Sequence, residues 1–138
     1  MIKAAIAIIL VSFLILVGGA WWSTRESNDP DVISTRGLHW HPELTIYVKG
    51  AKQEIPTNIG MGGVEMPIHT HDSTGVIHLE IGGLVRKEDI LLGRFFKIWD
   101  KDMRSFGSNM KMTVNGEENT DYETYAMKDK DKIELLFD

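Results

Sequence analysis

The sequence predicts an α+β fold: an N-terminal transmembrane helix followed by a small sheet domain crossed by one helix. Three observations carry this expectation. Ala4 to Trp22 is a run of 19 residues in which Ser12 is the one clearly polar side chain. Period-two alternation of apolar and polar residues marks strands in both halves of the remaining chain, and between them Lys87 to Trp99 changes to helical spacing. With 138 residues the chain has room for one domain of moderate core size.

The elements follow in order. At about 1.5 Å per helical residue, the apolar run approaches the ~30 Å hydrocarbon thickness of a bilayer. Trp21 and Trp22 stand where an interfacial aromatic belt lies, and Lys3 precedes the run while Glu26, Asp29 and Asp31 follow it. This places the N-terminus inside and the domain on the extracytoplasmic side of the cell membrane. A cleaved signal peptide is the alternative, with Ala4 to Val17 as its apolar region and Gly18-Gly19-Ala20 as the small residues for cleavage. The expected organisation is an anchor over residues 1–22, a polar linker over 23–37 and a metal-binding domain over 38–138.

Leu44, Ile46 and Val48 alternate with Glu43, Thr45 and Tyr47 as in a half-buried strand. Pro42 predicts an edge or bulge ahead of it, and Lys49-Gly50-Ala51-Lys52 a hairpin turn after it, leading into Gln53-Glu54-Ile55. Gly60, Gly62 and Gly63 fall in a loop without the Lys-Ser/Thr of a phosphate loop, so they supply backbone freedom beside the next element. That element is a hairpin over Pro67–Ile81, in which Asp72-Ser73-Thr74-Gly75 is turn chemistry between two short β-like runs. In the predicted helix Ile90, Leu91, Phe95, Ile98 and Trp99 form the buried stripe. Met110–Val114, a turn at Asn115-Gly116 and a terminal strand from Lys132 to Phe137 complete the order.

All five histidines fall in two groups, His39-Trp40-His41 and His69-Thr70-His71 with His78. Alternate residues of a strand share a face, so each His-x-His aims two imidazoles at one point. If His71 pairs with Val76, His69 lies opposite His78, and three rings form a triangle on the face away from Ile68, Ile77, Leu79 and Ile81. His69, His71 and His78 are therefore the expected metal ligands. His39 and His41 complete that site or bind a second ion. Glu80 shares the parity of His78 and is placed to orient a ring or to ligate, and Asp72, Met61 and Met66 are further candidates. A hydrogen-bonding cluster or a pH-sensitive patch is the reading without metal.

The chain has no cysteine, which excludes disulfides, thiolate metal sites and a cysteine nucleophile. Its formal net charge is −5, and without a basic stripe it predicts no nucleic-acid partner. Imidazole suits copper, zinc, nickel and iron; Met61 and Met66 just upstream of His69, with Met103, Met110, Met112 and Met127 later, and the high place of copper in the affinity order favour copper, with zinc the alternative. The expected function is capture or delivery of copper, or service as an accessory subunit of a membrane-protein complex. A zinc-dependent hydrolase or hydratase with Glu80 or Asp72 as proton acceptor is the enzymatic alternative, and a structural or interaction domain without metal is the third.

The order of elements, with VNGEE from Val114 and the ending YAMKDKDKIELLF, resembles the ubiquitin-like β-grasp fold, with the histidine hairpin as an insertion. That resemblance implies one helix packed across one twisted sheet; the ending Phe137-Asp138 departs from the Gly-Gly terminus of its sulfur carriers and protein modifiers. The longer pattern, His39-x-His41, HTHDSTGVIHLE from His69, LGRFFKIWD from Leu92 and VNG from Val114, resembles an uncharacterised membrane-anchored prokaryotic family. It implies unity of fold and no mechanism. Locally, His69, His71 and His78 are similar to the zinc ligands of α-type carbonic anhydrases, which hold zinc by His-x-His on one strand and a third histidine on its antiparallel neighbour.

Overall fold

The computed structural model describes residues 14–15 and 29–138. The chain divides into Met1–Pro30 and Asp31–Asp138, and the second unit holds the strands β1 (Val32–Ser34), β2 (Leu38–Trp40), β3 (Glu43–Val48), β4 (Ala51–Gln53), β5 (Ile68–His69), β6 (His78–Ile81), β7 (Val85–Arg86), β8 (Lys111–Val114), β9 (Glu117–Glu118) and β10 (Lys132–Phe137), with one α-helix, α1 (Leu92–Ile98). β1 lies inside the segment read from the sequence as linker, and it pairs antiparallel with β7.

The fold class is the main correction. The described residues are mostly sheet with one seven-residue helix, where an α+β domain with a helix from Lys87 to Trp99 was expected. Local periodicity loses to a tertiary pairing. Leu91 is extended, with ψ 139°, because it bridges Ala126. On either side, Met127 N donates to Ile90 O at 2.9 Å and Leu92 N to Tyr125 O at 2.8 Å. The helix is thereby cut into a 3₁₀ turn over Lys87–Ile90 and α1. Ile90, Leu92, Phe95 and Phe96 form its buried side, and Leu91 gives way to Leu92. Apart from Leu14 and Ile15, the expected transmembrane helix falls on residues outside the described ones; among the described residues no helix is long and apolar enough to cross a membrane.

The β-grasp-like picture of one sheet with an inserted hairpin is corrected as well, since the strands form three sheets. The largest has the order β4-β3-β10-β8-β9, with β3 and β10 parallel from Glu43↔Lys132 to Val48↔Phe137. Its two tight hairpins are type I′ turns at Lys49-Gly50, φ 51° and 78°, and Asn115-Gly116, φ 54° and 84°. Its core side carries Leu44, Ile46, Met112, Ile133, Leu135 and Phe137 against Phe95, Met103 and Met127. Each such side chain contributes about 1.5–3 kcal/mol on full burial.

His39, His69 and His78 lie in the three-stranded sheet β2-β6-β5, with His41 and His71 just past the ends of β2 and β5. Pro42 marks the point where the chain leaves it for the large sheet, and the two are stitched there. Ile77 N donates to Pro42 O, Leu44 N donates to Gly75 O, both at 2.8 Å, and Glu43 bridges Val76. Gly75 sits at φ +96°, and a Cβ on it would lie 2.2 Å from the Leu44 carbonyl oxygen. The seam therefore requires glycine.

Candidate metal centre

Two ladders bring the five rings together. β5 pairs with β6 so that His69 faces His78, and β2 pairs with β6 so that His39 faces Glu80. Both pairings continue the period-two alternation, which sets His39 and His41, His78 and Glu80, and His69 and His71 on one face of the sheet. The other face turns Ile68 and Leu79 into the core, both at most 1% exposed, beside Ile77. His78, on the middle strand, has ring centroids of His71 at 4.4 Å, His41 at 4.8 Å and His69 at 5.4 Å.

His69 is fully buried and its orientation is fixed. Its Nδ1 lies 2.8 Å from the Met66 carbonyl oxygen. A carbonyl only accepts, so Nδ1 carries a proton, and in the neutral ring Nε2 presents its lone pair to the cluster. That Nε2 is 3.2 Å from Nε2 of His71. Two nitrogens on one tetrahedral ion with bonds of 2.0–2.1 Å are about 3.3 Å apart. Buried Thr70 anchors the intervening backbone: its Oγ1 donates to Pro56 O at 3.0 Å and accepts from Ile59 N at 3.1 Å.

His78 supplies the test of fit. Its Nδ1 is buried without a hydrogen-bond partner, and the nearest carboxylate oxygen, Glu80 Oε1, is 3.9 Å away. Leaving such an atom unsatisfied costs about 1–3 kcal/mol, a penalty that coordination removes. Burial, followed by the neighbouring His71, His41 and His69, holds the ring below its ordinary pKa, with Glu80 opposing. Burial thus favours the neutral ring, the form in which imidazole coordinates.

Two sets of ligand atoms could hold a metal ion, each with all members within 4.8 Å: His69, His71, His78 and Glu80, and His39, His41 and His78. Glu80 Oε1 also stands 3.0 Å from His39 Nε2. The other candidates are placed differently. Asp72 is committed to its turn, where its Oδ1 accepts from the backbone and hydroxyl of Thr74; those bonds hold its carboxyl below the ordinary range. Met66 engages His69 through its backbone carbonyl, and Met61 bridges Glu65 in the glycine loop. Met103, Met112 and Met127 are core, which removes them from the thioether count that favoured copper.

Two acidic neighbours were not foreseen. Glu65 Oε1 is 3.5 Å from His69 Nε2, and Asp129 Oδ1 accepts from the backbone N of His41 at 2.9 Å. Glu65 stands four residues before His69, a spacing that carries no signal in a glycine loop, and Asp129 is one acid in the charged run KDKDK. Comparison with protein-family models, with curated proteins and with solved structures gives no match.

Proposed function

We propose that this domain is a metal-binding module that captures or delivers copper as Cu(II) on the extracytoplasmic side of a membrane, held there by the apolar segment 4–22. The observation that carries the reading is the pair of imidazole nitrogens 3.2 Å apart, one with its lone pair fixed by the Met66 carbonyl. Nitrogen and carboxylate donors suit Cu(II) and Zn(II) alike, and copper stands higher in the affinity order, so zinc is the alternative ion. Thioether participation loses its support, because the Met66 contact is through its carbonyl.

Binding is favoured over catalysis because the ligand atoms converge on one another, His69, His71, His78 and Glu80 all within 4.8 Å, which is what holding an ion requires. Service as an accessory subunit of a membrane-protein complex is the same chemistry with a resident partner.

Competition titration of the full chain with Cu(II) and Zn(II) tests this reading. One tightly held ion per chain, with copper displacing zinc, supports it; ester hydrolysis or CO2 hydration by a zinc form that copper does not displace replaces it with the enzymatic alternative.

A further inference from the structure

We propose that the five histidines form two overlapping metal positions sharing the His78 ring, an outer one on His39, His41 and His78 and an inner one on His69, His71 and His78 with Glu80, which a single divalent ion occupies in turn. The proposal rests on the metal-binding reading above and adds an order of events to it.

His78 belongs to both sets of converging ligand atoms. The side chains also form a graded series: His39 is 61% exposed, His41 41%, His78 21% and His69 0%. Successive ring centroids along it are 4.6, 4.8 and 5.4 Å apart. An ion taken up by the outer pair is therefore one ring away from the buried end, and His78 is a ligand common to both sets.

Sharing makes the positions exclusive. One imidazole holds two ions at once only as an imidazolate, which sets two dications a ring's width apart at a half-buried site where their repulsion is poorly screened. Glu80 enforces the same choice. Its carboxylate stands 3.0 Å from Nε2 of His39, and the inner position calls on that carboxylate as well. The inner position is the tighter, because His69 is already oriented and its Nε2 already spaced from that of His71 for one ion. The outer pair, open to solvent, receives the ion first. His71 is exposed too and gives the inner position a direct route, so the contribution of the outer pair is one of rate.

The test is Cu(II) loading of the full chain in detergent, followed by electron paramagnetic resonance at equilibrium and by stopped-flow absorbance. The wild type should take one copper with a single spectrum. His39→Ala/His41→Ala should load about tenfold more slowly and end in the wild-type spectrum. His71→Ala, at an exposed position, should move copper to the outer set, with a changed spectrum and an affinity weaker by about tenfold or more. His69→Ala/His71→Ala should give that same second spectrum. Two coppers per wild-type chain with a spin-coupled signal, loading of the His39/His41 variant at the wild-type rate, or no copper in His71→Ala would each overturn the proposal. A wild type that binds no copper or zinc would instead remove the metal-binding reading itself, and this proposal with it.

Discussion

Nε2 of His69 and Nε2 of His71 lie 3.2 Å apart, although the two residues are separated by a buried threonine and differ in exposure from fully buried to open. Alternation along the chain puts the rings on one face, and the Met66 carbonyl and Thr70 fix the approach.

Replacing His69, His71 or His78 singly with alanine is expected to weaken ion binding at the inner set by tenfold or more, about 1.4 kcal/mol for each factor of ten. Isothermal titration with zinc measures it. His78→Ala should cost the most, since it removes the ring common to both sets of ligand atoms.

Without metal, the domain should lose stability on acidification. Burial holds His78 below its ordinary pKa of 6.5 in the folded state. The unfolded chain therefore binds the extra proton first, and stability present above pH 6.5 is lost as the pH falls toward the folded value. Urea midpoints from pH 8 to pH 5 should fall for the wild type and fall less steeply for His78→Gln. Equal slopes would contradict the assignment.

Gly75→Ala is expected to destabilise the domain by at least about 1–3 kcal/mol, from its left-handed backbone alone. The clash with the Leu44 carbonyl adds to this. Because Gly75 holds the seam between the histidine sheet and β3, zinc affinity should fall together with the thermal midpoint. Pairing the two measurements separates this outcome from simple loss of a ligand.

Asp131 is a buried carboxylate that accepts from Tyr125 Oη at 2.6 Å, Lys128 N at 2.8 Å and Asn115 Nδ2 at 2.9 Å. Asp131→Ala leaves these donors unpaired and should cost about 1–3 kcal/mol or more by denaturant unfolding. Burial, then the bond to Asp131, pushes the Tyr125 hydroxyl above the ordinary tyrosine value of 10. The unfolded chain thus releases this proton first, and stability should decline as the pH rises above 10. In Tyr125→Phe that decline should be reduced.

The histidine hairpin was legible in the sequence because two short-range signals agree there. The turn residues from Asp72 to Gly75 fix where the strands reverse, and alternation then fixes which side chains meet, so the facing of His69 and His78 follows from spacing alone. The terminal strand and the two type I′ turns are equally local. The long helix was misread because its interruption is non-local: Leu91 is held extended by Ala126, 35 residues away, and nothing in the amphipathic spacing records that bridge. The pairing of β2 with β6, which adds His39 and His41 to the cluster, joins segments about 40 residues apart and has no turn to announce it. Pro42 signalled an irregularity without revealing that the chain changes sheets there.

Metal analysis with X-ray absorption spectroscopy on the full chain, purified without an affinity tag, tests the central claim most directly. One ion per chain is expected, with four nitrogen or oxygen ligands at about 2.0–2.2 Å, and a changed imidazole scattering pattern in His69→Ala/His71→Ala, whose ion is left with His39, His41 and His78. A protein free of metal after purification and unable to take up copper or zinc, or an ion bound through sulfur, would contradict it.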